Sequence, residues 1–175
     1  MKKFLLTDNS YLCFALSETL QYINSCIVDL DCCSSLSDIS RIVSDCGKDN
    51  TPIILMGSRG IYVELFSCFG IIDMKHPVET VIKILREHVG IEPKQLEEYI
   101  SSCRTLDKLT ASQVNICLLD LQKKIATAPT VLNLTISSIY RNIGIAAEKL
   151  NFKTLLYFRY FISKEFSEND LEILI

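Results

Sequence analysis

The chain has 175 residues, of which 49% are apolar, and a formal net charge of −3. It is long enough for one large domain or two small ones, and apolar enough that a packed core is expected and wholesale disorder is not. No run approaches the roughly eighteen consecutive apolar residues that a membrane span needs. The opening "MKKFLLTDNS" breaks its apolar run at Thr7 and Asp8, too early for a signal-peptide core, so a cytosolic protein with no membrane partner is expected.

Eight cysteines are scattered through the chain, at Cys13, Cys26, Cys32, Cys33, Cys46, Cys68, Cys103 and Cys117. In a reducing compartment such residues act as small apolar thiols rather than as a disulfide framework. "DCC" at Asp31 to Cys33 lacks the spacing of a paired-ligand knuckle, and the chain has only two histidines. No structural metal is expected. The adjacent Cys32 and Cys33 permit redox chemistry, which nothing else in the sequence supports.

The first ninety residues alternate short apolar runs with helical patterns. "KKFLLT" (Lys2 to Thr7) reads as a strand, and "SYLCFALSETLQYI" as a helix with Leu12, Ala15, Leu16, Leu20 and Ile23 on one side. "SCIVDL" predicts a second strand. "SLSDISRIVSDCG" predicts a helix capped by Ser35 or Ser37 and stopped at Gly47. "TPIILMG" reads as a third strand with its proline at the tolerated start. "GIYVELFSCFG" follows as a short helix, and "GIIDM" as a fourth strand. "PVETVIKILREHVG" is a helix opened by Pro77 and closed by Gly90, with Val78, Val81, Ile82 and Leu85 on one face. Strand–helix alternation with near-continuous apolar strands predicts a doubly wound parallel sheet covered on both faces.

Such folds bind ligands at the carboxyl ends of their strands. In this chain those positions hold Asp8 and Asn9, Asp29 and Asp31, Gly57 and Ser58, and Lys75. Residues 91–108 read as an interdomain linker carrying a short polar helix, "EPKQLEEYISSC". The expected organisation is therefore a domain over 1–90, a linker over 91–108 and a second, all-α domain over 109–175.

No strand pattern remains after the linker. "LTASQVNICLLDLQKK" has Thr110 as cap, Gln113 at the capping-box position, and Val114, Cys117, Leu118 and Leu121 on one stripe. "TAPTVLNL" is a short helix with Pro129 in its first turn. Thr135 caps a third helix, whose core stripe is Ile136, Ile139, Ile143, Ala146, Ala147 and Leu150. "KTLLYFRYFIS" supplies a fourth helix. The opposite side of the third helix carries Ser137, Ser138, Tyr140, Arg141, Gly144 and Glu148. A short helix, a tight turn and a second helix make a helix-turn-helix, which lays its second helix in the major groove. Plain helical bundles share this spacing. From Leu109 to Lys164 the cations Lys123, Lys124, Arg141, Lys149, Lys153, Arg159 and Lys164 face only Asp120 and Glu148. That is a local electrostatic footprint for a phosphate backbone inside an acidic chain, though an ordinary solvated face would have the same charges.

These residues resemble the DNA-binding domain of the LuxR (NarL/FixJ) family of bacterial transcription regulators. Leu109 and Thr110, followed by Ser112 and Gln113, are similar to the family's opening Leu-Thr-x-Arg-Glu. Leu132, Leu134, Thr135, Ser138 and Ile139 match its leucine, apolar, Ser, x, x, Thr-Val pattern. Lys149, Leu150 and Phe152 match its closing Lys-Leu-x-Val. From Leu132 to Phe152 the correspondence needs no gap. The family's Glu-Ile-Ala falls on Thr127, Ala128 and Pro129, its histidine on Asn142, and its first basic contact position on Tyr140.

The resemblance implies a sequence-specific regulator that binds double-stranded DNA from the cytoplasm, on the nucleoid. Its contact residues would be Thr135, Ser137, Ser138, Tyr140, Arg141 and Gly144, with Lys149 and Lys153 as backbone anchors. A face so poor in cations implies a homodimer, or a heterodimer with another LuxR-type regulator. The family's usual partner domain is a response-regulator receiver. The N-terminal half looks like a receiver shortened by one strand–helix unit, with Asp8 in the acidic pair, Asp29 as phosphoacceptor, Ser58 as switch hydroxyl and Lys75 as the lysine. Mg²⁺ would be a cofactor only if that pocket works. With Asn9 in place of the second acid, the alternative is a decayed receiver kept for dimerisation. A different class of reading is a protein that does not bind DNA and sequesters a related regulator. Enzymatic chemistry is not expected, because no Ser/His/Asp or Cys/His set is apparent and neither His76 nor His88 sits in a motif.

Overall fold

The computed structural model describes residues 5–7, 14 and 24–175. The expected first helix, together with Asp8, Asn9 and Cys13, lies outside them. The chain divides into two compact units, Met1–Ile100 and Ser101–Ile175.

The first unit is mixed α/β. Its strands are β1 (Leu5–Leu6), β2 (Cys26–Asp29), β3 (Ile53–Gly57) and β4 (Ile72–Asp73), paired in parallel in the order β1-β2-β3-β4. The register sets Leu6 beside Val28, Asp29 beside Met56, and Gly57 beside Asp73. The order never reverses, whereas an open doubly wound sheet turns back at a switch point. The described sheet therefore has no such crevice, although it is covered on both faces as expected.

Side chains alternate across the strands, and each side has its own helix. Ile27, Ile54, Met56 and Ile72 form one face and pack with Val81 and Leu85 of α3 (Val78–Glu87). The Cys26 side carries α1 (Leu36–Gly47), whose Cys46 thiol hydrogen-bonds that of Cys26. Burial raises both thiols above the usual cysteine range, Cys26 the more strongly, so they are inert packing groups. Ser35 caps α1 by accepting from the Asp38 amide. Gly47 is the last residue of that helix rather than its stop, and the left-handed turn falls on Asn50, with φ 49°. Val78, expected on the core face of α3, is exposed.

The short helix α2 (Ile61–Leu65) and the turn after it hold Phe66 and Phe69 against Tyr99, whose hydroxyl donates to the Leu65 carbonyl at 2.6 Å. Tyr99 lies on α4 (Pro93–Thr105), which fills most of the segment read as a linker and buries Leu96, Ile100 and Cys103.

The second unit is helical, with α5 (Ala111–Leu121), α6 (Ala128–Leu132), α7 (Ile136–Lys149), α8 (Leu155–Glu165) and α9 (Glu168–Ile173). Its core joins Val114, Ile116 and Cys117 to Ile139, Ile143, Ala147, Phe158 and Phe161. Thr110 and Gln113 form the capping box expected at the start of α5. The expected set of four helices omits α9. A Ser167–Asp170 capping box starts that helix, and the Ser167 hydroxyl holds the Asp170 carboxyl below the usual carboxylate range.

Ile54 is fully buried in the α3-facing core. Ile54→Ala should cost about 2–5 kcal/mol and Ile54→Val about 0.5–1.5 kcal/mol, read as a shift in the urea midpoint of the full chain. Equal midpoints for wild type and Ile54→Ala would contradict this core.

Candidate functional site

The α6–turn–α7 segment is built from local signals. Pro129 in the first turn of α6 removes a donor where none is needed, and Asn133 ends the helix in the left-handed conformation, with φ 51°. The Asn133 amide returns to the Pro129 carbonyl, closing the short helix. Thr135, extended at the N-cap, accepts from the Ser138 amide at 3.2 Å, and its hydroxyl lies 2.9 Å from that of Ser138. Ile139, Ile143, Ala146 and Ala147 then point inward. Ile136, expected on this stripe, is 45% exposed, because the first turn of α7 projects beyond the core.

The outward side of α7 carries Ser137, Tyr140, Arg141 and Gly144 at spacings of three and four residues, which place them on one face. Ser137, Tyr140 and Arg141 are exposed. A Cβ added at Gly144 would meet nothing within 4 Å. Packing therefore does not require glycine at this point in a helix, where it costs about 0.5–1 kcal/mol relative to alanine.

The two expected backbone anchors differ from one another. Lys153 is exposed just past the end of α7. Lys149 is partly buried, and its ammonium donates to Gln113 Oε1 at 3.0 Å. The same oxygen accepts from the Thr110 amide at 3.0 Å. Lys149 thus ties the end of α7 to the start of α5, and it also sits where its charge complements the C-terminal helix dipole. The sequence reading missed Gln113 as a partner, since a capping-box residue gives no sign that it also holds a distant lysine.

In the first unit the strand ends bring Thr7, Asp29, Asp31 and Ser58 together. Asp29 is 1% exposed. Its Oδ2 accepts from the Thr7 hydroxyl at 2.6 Å and from the Cys32 thiol at 3.2 Å, and its Oδ1 accepts from the Asp31 amide at 3.0 Å. Asp31 in turn accepts from the amides of Ser58 at 3.0 Å and Arg59 at 3.3 Å. Gly57 is needed here, because a Cβ would stand 2.6 Å from Val63 and 3.2 Å from Asp31. Lys75 is exposed, with its backbone amide on Asp73 Oδ1 at 2.9 Å.

Asp29 and Ser58 are linked through Asp31, and Asp29 is wrapped in donors at a buried strand end. A phosphoacceptor has to present a free carboxylate oxygen to the phosphoryl group and another to Mg²⁺. Among the described residues there is no group of three or more His, Cys, Asp or Glu that could hold a metal. Asp8 lies outside the described residues.

With its oxygens engaged, Asp29 should not be phosphorylated. Incubation with acetyl phosphate and Mg²⁺ should leave the intact mass unchanged, and an adduct lost in Asp29→Asn would refute this. Asp29→Asn should also lower stability by about 1–3 kcal/mol, because an amide nitrogen would face a donor.

No helix among the described residues is long and apolar enough to cross a membrane. No protein-family model, no curated protein and no solved structure matches this chain.

Proposed function

We propose that this chain is a bacterial DNA-binding transcription regulator whose second unit is a LuxR-type helix-turn-helix. One observation carries the reading. A five-residue helix with a proline start, a turn through left-handed Asn133 and a threonine-capped helix present Ser137, Tyr140 and Arg141 to solvent, with half-buried Gly144 on the same face. The N-terminal half of α7 enters the major groove. Arg141 supplies the bidentate donor for a guanine edge or a phosphate, Tyr140 adds a hydroxyl, and the bare backbone at Gly144 lets the duplex approach closely. Exposed Ile136 offers apolar contact to a thymine methyl.

Arg141 and Lys153 are few cations for a duplex, so a single copy binds weakly and with a shallow salt dependence. Dimerisation, with itself or with another LuxR-type regulator, supplies the second half-site. The first unit serves as a receiver-like domain without phosphorylation chemistry. Its strand order is what remains of the receiver order 2-1-3-4-5 when the second strand is removed, and it takes a pairing role rather than a switching one.

A second reading, a protein that sequesters a related regulator without touching DNA, is favoured by exposed Val131, Ile136 and Tyr140 beside the turn. The two readings part at Arg141 and Gly144. Arg141→Ala should weaken promoter binding in mobility shifts and flatten the salt dependence by about one charge, without changing the melting temperature. Gly144→Ala should stabilise the chain by about 0.5–1 kcal/mol and yet weaken DNA binding. Regulatory output that survives both variants, with no DNA bound alone or with a LuxR-type partner, would move the assignment to sequestration.

A further inference from the structure

The second unit contains a cavity of about 470 Å³ that the DNA reading does not use. Its apolar walls come from Leu121 of α5, Ile143 of α7, and Leu156, Phe158 and Ile162 of α8. Its charged groups are Asp120, Arg159 and Lys123. Leu156, 75% exposed, and Tyr160, 55% exposed, also line it, so the cavity opens to solvent past apolar side chains. That size, with mostly apolar walls and a few polar groups, suits a small ligand with an apolar body and one charged end.

Three features set the sign of that charge. Two cations stand against one carboxylate. Arg159 Nε is buried against Asp120 Oδ2 at 2.7 Å, and the side chain, 39% exposed as a whole, carries the guanidinium's remaining donors. Lys123 adopts the left-handed conformation, φ 57°, just past α5, where glycine is the usual residue. Lys123 is exposed and lines the cavity, bringing a cation to it. Cys117, on the cavity wall, adds no negative charge: burial, then the nearby Asp120 carboxylate, pushes its thiol up to about 12.

We infer that this cavity binds a small amphiphilic anion, a carboxylate with an aliphatic or aromatic body, whose head sits between Lys123 and Arg159 and whose tail lies against Leu121, Ile143 and Leu156. The α5 and α8 side chains that line it belong to the helices on which α7 is seated, so occupancy would stiffen the scaffold of the helix proposed to read DNA.

Calorimetric titration of the full chain with octanoate, octan-1-ol and octylammonium at fixed ionic strength tests the inference. Octanoate should bind one to one and at least tenfold more tightly than octylammonium, with octan-1-ol between them. Lys123→Gly should cut octanoate affinity at least fivefold while leaving the melting temperature unchanged or raised, because glycine relieves the left-handed strain. Ser163→Trp, a change at an exposed cavity-lining position, should block octanoate without unfolding the chain. Equal binding of the anion and the cation, or octanoate binding that survives Ser163→Trp, would overturn the inference. So would a chain that sediments as a dimer and binds no octanoate, since the cavity would then belong to a second copy.

Discussion

The pairing of β2 with β3 is the constraint on which the first unit depends. Every residue of both strands is buried, from Cys26 to Asp29 and from Ile53 to Gly57. A parallel ladder that meets no water on either face must have a helix against each. Here α1 answers the Cys26 side, and α3 answers the Ile27 side. Because all four strands run the same way, their carboxyl ends gather at one edge. Thr7, Asp29, Asp31 and Ser58 meet there as a consequence of topology.

A carboxylate at such an edge has to be either solvated or satisfied. Asp29 is satisfied, by a hydroxyl, a thiol and an amide, and these bonds hold the strand end in place. Asp31 extends the same logic to the next strand by holding the amides of Ser58 and Arg59. The arrangement is a clasp joining three successive strand ends.

The second unit was more legible, because its signals are local. Thr110 with Gln113, Pro129 in a first turn, Asn133 as a left-handed stop and Thr135 as a cap each act over three or four residues, so the sequence carries them openly. The inward stripe of α7 was readable from Ile139 onward by its period. Ile136 fits that period and is nonetheless exposed, because periodicity says which face a residue occupies and not how far along the helix the neighbours reach. The helix α9 has six residues with few apolar positions, which leave little periodicity in the sequence. In the first unit, the four strands and the helices after Ser35, Gly60 and Pro77 were legible. The strand order was not, since nothing in one strand's sequence names its neighbour.

By itself the sequence determined the alternation of buried strands and amphipathic helices, the change to an all-helical second half, and the caps that start and stop its helices. All of these follow from side-chain chemistry acting over a few residues. Only the tertiary structure decided what the polar residues do. The Lys149 ammonium donates to Gln113, thirty-six residues away, and the Asp29 carboxylate accepts from Thr7, Asp31 and Cys32. The physical reason is the same for both. The role of a charged or polar side chain depends on which donors and acceptors reach it and on how much water remains, and those are set by contacts between residues far apart in the chain.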